Sequence, residues 1–105
     1  MAKIKITLDD EPTFSSTVEI PAPGSRPLPT GFTFKGRTRT EFKQWIDELP
    51  NKSNVEAIME VATGWDLPFA FNEDNIAKFD NKYLAAAGAI LDKYIAEIQQ
   101  ARTGN

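Results

Sequence analysis

Tyr83-Leu84-Ala85-Ala86-Ala87-Gly88-Ala89-Ile90-Leu91-Asp92-Lys93-Tyr94-Ile95-Ala96-Glu97-Ile98 is the stretch whose reading decides the fold. Leu84, Ala87, Gly88, Leu91, Ile95 and Ile98 recur at steps of three and four, which sets them along one side of an α-helix. Tyr83, Ile90 and Tyr94 widen that stripe past the width of one ordinary helix contact. The small residues Ala85 to Ala89 let another backbone approach, and the alanines favour helix most strongly of all residues. Most of the chain's remaining apolar surface must meet this helix.

Upstream of it, Pro68 interrupts an aromatic segment holding Trp65, Phe69 and Phe71. Phe71, Asn72 and Ile76 match the N′, N-cap and N4 positions of a hydrophobic staple. The spacing predicts a short helix from about Glu73 to Phe79, with the long final helix beginning near Asn81 or Lys82. Further back, Ser53-Asn54-Val55-Glu56 has capping-box form. Val55, Ile58, Met59, Ala62 and Trp65 continue as a helical stripe, with Gly64 as the C′ residue. Thr38-Arg39-Thr40-Glu41 is a second capping box, followed by Phe42, Trp45, Ile46 and Leu49 at helical spacing and a stop at Pro50.

Before Thr38 the period is two. Ile4, Ile6 and Leu8 alternate with polar residues, as do Phe14, Ser16, Val18 and Ile20, and the two runs read as an antiparallel hairpin across Asp9-Asp10-Glu11-Pro12. Pro21 to Pro29 holds four prolines and a glycine and reads as an irregular connector. Residues 32–37 follow as a third strand with Phe32 and Phe34 inward; the prolines before it leave an extended loop as the alternative. The expectation is one α+β domain over 1–105: 1–37 mostly β, 38–102 helical in four helices, and 103–105 a frayed tail.

Composition narrows the chemistry. The chain has no histidine and no cysteine, which removes the commonest general base, the usual triads, thiol nucleophiles and most zinc sites. It carries no glycine-rich phosphate loop and no HExxH. The acidic clusters Asp9-Asp10-Glu11 and Glu73-Asp74 sit at a turn and at a helix N-terminus, where the macrodipole favours them. Asp9-Asp10-Glu11 also lacks the alternating ligands and glycine of a calcium loop. The residues point to no enzyme, no metal and no cofactor. Twelve Lys and Arg stand against 15 Asp and Glu, a net charge of −3 that offers no bulk attraction to nucleic acid or an anionic membrane. No apolar run approaches a membrane span, the N-terminal residues lack the apolar block of a signal peptide, and the absence of cysteine fits a reducing cytosol.

Two clusters are candidate binding features. Lys35, Arg37 and Arg39 alternate on the face opposite Phe32 and Phe34, with Lys43 one helical turn beyond. A nucleic-acid platform wants cations and aromatics on one accessible face, whereas alternation separates them here. Trp65, Phe69 and Phe71 crowd a segment where no single stripe buries all three, and such aromatics either fill gaps between helices or anchor a partner.

The runs Gly64-Trp65-Asp66-Leu67, Phe71-Asn72-Glu73-Asp74-Asn75-Ile76 and Asp80-Asn81-Lys82-Tyr83-Leu84-Ala85-Ala86-Ala87-Gly88-Ala89-Ile90, with Tyr94 and Ala101-Arg102 beyond, resemble the tail assembly chaperones of long-tailed bacteriophages and prophages. The similarity is good over the last 42 or so residues and general in layout before them. Members often carry a proline in the region of Asn81–Leu84, where this chain has none. The resemblance implies a non-enzymatic protein of the infected host cytoplasm, absent from the mature virion. It would bind the tape measure protein, and in some cases the tail tube protein, and keep them assembly-competent. In some such phages a programmed frameshift yields a longer product.

Under that reading, apolar helical stripes of the partner would be covered in helix-in-groove fashion. Phe69, Phe71, Tyr83, Ile90 and Tyr94, with Trp65, form the expected partner-binding surface. The second reading is a structural tail or adaptor subunit retained in the particle, and the third a small nucleic-acid-binding regulator. A homo-oligomer is a further option beside these partners.

Overall fold

A computed structural model describes residues 12–103. The first predicted strand, over 3–8, and most of the turn after it lie outside the described residues, as do 104–105. The order of elements is β1 (Thr13–Ile20), β2 (Leu28–Lys35), α1 (Arg39–Glu48), a 3₁₀ turn (Leu49–Asn51), α2 (Asn54–Val61), β3 (Ala62–Trp65), α3 (Glu73–Lys82) and α4 (Ala86–Thr103). Among the described residues the architecture is α+β, with a three-stranded antiparallel sheet ordered β1-β2-β3 and four α-helices.

Alternation builds the sheet. On β1, Val18 and Ile20 are buried, and on β2 Thr30, Phe32 and Phe34 are buried, so one face of the hairpin meets the helices. The β1–β2 register sets Phe14 opposite Phe34 and Val18 opposite Thr30. The expected third strand is therefore paired, but it runs from Leu28 to Lys35, beginning earlier than expected and leaving Gly36 and Arg37 outside it. Pro29 sits inside it because β3 spans only Phe32 to Phe34, so the missing proline N–H interrupts no ladder on that side.

The expected helix stripe from Val55 to Trp65 is corrected. Helix α2 ends at Val61, and Ala62-Thr63-Gly64-Trp65 is a strand inside the stretch read as helical. Gly64 is not a left-handed C′ residue; among the described residues only Gly24 has positive φ. Pairing with Phe32, Thr33 and Phe34 draws these residues out of the helix, a long-range contact that local periodicity does not encode. The Asp66 N–H then extends the ladder to the Gly31 carbonyl at 2.9 Å.

Both capping boxes form. Glu41 N–H donates to Thr38 Oγ1 and Thr38 N–H to Glu41 Oε1, at 3.2 and 3.0 Å. Glu56 N–H donates to Ser53 Oγ and Ser53 N–H to Glu56 Oε1, at 3.1 and 2.9 Å. At α3 the Asn72 side chain accepts from Asn75 N–H at 2.9 Å, with Phe71 at N′ and buried Ile76 at N4 as the staple requires.

The last two helices divide differently from the expectation. Helix α3 runs on to Lys82, Tyr83 leaves helical geometry at φ −112°, ψ 90°, and α4 starts only at Ala86. Thr103, expected in the tail, is the last residue of α4. The buried line of α4 is Ala86, Ala87, Ile90, Tyr94 and Ile98; Leu91 and Ile95 are half-buried, while Leu84 and Gly88 are exposed. That line faces β1 and α2. Nothing lies within 4 Å of a Cβ built on Gly88, so no neighbouring backbone uses the gap.

Candidate functional site

The aromatic segment after β3 is held by backbone acceptors. Trp65 Nε1–H donates to the Phe69 carbonyl at 2.8 Å, and Asn75 Nδ2–H donates to the Ala70 carbonyl at 2.8 Å. These two bonds tie the loop around Pro68 to β3 on one side and α3 on the other. Rings then stack outward from the core: Phe32 to Trp65 at 6.1 Å, Trp65 to Phe71 at 5.2 Å and to Phe79 at 5.4 Å, and Phe79 to Tyr83 at 5.4 Å. Edge-on and tilted pairs at such distances hold one another's orientation.

Beside this row lie two cavities of about 230 and 180 Å³. Trp65, Asn75, Lys78 and Lys82 line the first, and Ile20, Leu28, Pro29, Thr30 and Leu67 the second. Phe69, Phe79 and Tyr83 line both, so the two form one apolar groove between the β3–α3 loop, the start of β2 and the end of α3. Phe69 is 59% exposed and Leu28 42% exposed. Leu84, beside Tyr83 in the chain, is 84% exposed. Burying such side chains in water-free contact is favourable by about 25 cal/mol per Å² of apolar surface.

Of the six residues expected to bind a partner, four gather here: Phe69 exposed, and Trp65, Phe71 and Tyr83 half-buried. Ile90 and Tyr94 are fully buried and belong to the core. Tyr94 is sealed because its hydroxyl is satisfied internally, donating to the Lys35 carbonyl at 2.8 Å. Leu28, Lys78, Phe79 and Lys82 complete the lining. Leu28 sits among prolines that read as a connector, and Phe79 falls at the expected end of the short helix.

The basic cluster is largely spent on the protein itself. Arg37 donates to the Tyr94 hydroxyl at 2.9 Å and to the Glu60 carbonyl at 2.8 Å, and its guanidinium lies 5.5 Å from the Trp45 ring centre. It is therefore half-buried rather than on the solvent face. Lys35 Nζ reaches the Met59 carbonyl at 3.5 Å, and Lys43 pairs with Asp47 at 3.5 Å. The cleft of about 460 Å³ over this region mixes Lys35 and Arg37 with Glu41, Glu48 and Glu60. Lys52, pushed up by its hydrogen bond to Glu60 at 2.8 Å, is held as a cation nearby. Trp45 Nε1 is buried there without a hydrogen-bond partner. Among the described residues no group of three or more Asp and Glu converges on a metal-sized site, and no helix is long and apolar enough to cross a membrane.

A family model described as phage tail assembly chaperone matches residues 1–105. No curated protein and no solved structure matches the chain.

Proposed function

The chain belongs to the phage tail assembly chaperone family, and from that membership we propose that it binds the tape measure protein, and the tail tube protein in the same pathway. It keeps them soluble in the host cytoplasm and leaves before the virion is complete. The work is binding: apolar helical surface on the client is covered until the tube closes around it.

The observation that carries this reading is the groove where Phe69 and Leu28, two large apolar side chains left open to solvent, meet Phe79 and Tyr83. An amphipathic client helix laying one apolar stripe across Phe69 would fill both cavities at once. Trp65 and Tyr83 line the groove, and Phe71 packs edge-on against Trp65. No reaction is assigned to the protein.

Co-expression with the tape measure protein of the same phage tests the proposal. The client should be soluble with the wild-type chain and insoluble with Phe69→Ala. Unchanged client solubility in the presence and absence of the chain would reject it. Composition of purified particles separates the chaperone from a structural subunit, since the former is absent and the latter is present in fixed stoichiometry.

A further inference from the structure

Building on the chaperone reading, we infer that the groove selects a client segment in which apolar residues are flanked by carboxylates. Charge complementarity at the rim carries the selection. Lys78 and Lys82 lie one turn apart on α3 and both line the cavity that Phe69, Phe79 and Tyr83 enclose. Among the described residues neither lysine is in an ion pair, whereas Lys43, Lys52 and Lys93 each hold a carboxylate. Lys82 Nζ instead lies 5.7 Å from the Tyr83 ring centre, over the groove wall.

The chain as a whole is acidic, with a net charge of −3, so two adjacent cations beside its open apolar surface run against the average. They repel a basic client and attract an acidic one, and a lysine ammonium on a flexible stem adapts to carboxylates at several positions. Apolar burial supplies the affinity and the lysine pair chooses among apolar clients and sets their orientation. The occupant is thus an amphipathic helix with Leu- or Phe-sized residues on one face and Glu or Asp at i, i+4 along its edge.

The test uses two synthetic helical peptides with the same Leu and Phe stripe, one bearing Glu and the other Lys at the edge positions. Binding to the full chain is measured by titration calorimetry at low and high salt. The Glu peptide should bind roughly tenfold more tightly at low salt, the order expected of two rim ion pairs. The preference should shrink at high salt and reverse with the Lys78→Glu, Lys82→Glu double variant, while Phe69→Ala weakens both peptides. Equal affinity for the two peptides, or no binding of either, overturns the inference. So does concentration-dependent self-association that Phe69→Ala abolishes, because a second copy would then be the occupant. Co-expression keeps the two proposals apart: if the double variant solubilises the tape measure protein as well as wild type does, charge selection fails and the chaperone reading stands.

Discussion

The Arg37 guanidinium donates to the Tyr94 hydroxyl at 2.9 Å, joining the connection between β2 and α1 to the middle of α4. The same hydroxyl donates to the Lys35 carbonyl at 2.8 Å, and Trp45 stands edge-on to the Tyr94 ring at 5.4 Å. One tyrosine side chain thus links the sheet and the β2–α1 connection, through its hydroxyl, and the first helix, through its ring, to the last helix.

Tyr94→Phe should therefore destabilise the fold by about 1–3 kcal/mol, the cost of leaving a part-buried carbonyl and a guanidinium partly unsatisfied. Urea denaturation followed by far-UV circular dichroism reads the midpoint shift. A change near zero would mean that water replaces the hydroxyl.

Phe69→Ala should alter stability by no more than about 0.5 kcal/mol, because the ring is exposed and the carbonyl that Trp65 uses remains. Ile76→Ala, at the buried staple position of α3, should cost about 2–5 kcal/mol. Thermal melts set beside client solubility distinguish the two: the first loses binding with the fold intact, the second loses both.

Gly88→Ala should stabilise the protein by about 0.5–1 kcal/mol, since Gly88 lies within α4 with open space at its Cβ position. Gly36→Ala should do the opposite, by about 1–3 kcal/mol, because the new Cβ would collide with the Pro12 carbonyl, which already accepts from Gly36 N–H at 2.9 Å. Guanidinium midpoints of the two variants should fall on opposite sides of wild type.

Glu56 is held below the usual carboxylate range, first by the Ser53 backbone N–H and then by the Ser53 hydroxyl. A lowered folded-state pKa means that the ionised carboxylate stabilises the folded state above the unfolded value, and that this is lost as pH falls through the folded value. Ser53→Ala should raise the Glu56 value in an NMR titration of its carboxyl carbon. The stability gap between wild type and variant should narrow on acidification. A Glu56 titration unchanged by the substitution would mean that the backbone N–H alone holds the carboxylate and the hydroxyl adds nothing.

Much of this was legible locally. The Thr38–Glu41 and Ser53–Glu56 boxes and the Phe71–Ile76 staple each encode a helix start within a few residues, and each is present. Strand alternation likewise placed Val18, Ile20, Phe32 and Phe34 inward. What failed depended on distant partners. Ala62 and Trp65 continue a helical period yet pair with β2. The alanine-rich start of α4 carries too little side-chain volume to declare its face, so the buried line falls through Ala86, Ile90 and Tyr94 rather than Leu84 and Leu91. Tyr94 reads locally as surplus apolar area because its acceptor and donor, at Lys35 and Arg37, lie more than fifty residues away. The groove was half legible: Trp65, Phe69, Phe71 and Tyr83 stood out as aromatics, but Leu28 and the lysine pair join them only through folding.

The positions of the two tryptophans give the molecule a built-in optical gauge. Trp45 is shut away beside Tyr94, and Trp65 is half-buried at the groove. Acrylamide should quench the emission of Trp65 first, and a docked client should shield it and move its spectrum to the blue while Trp45 stays constant. Occupancy can thus be followed by intrinsic fluorescence without attaching any dye.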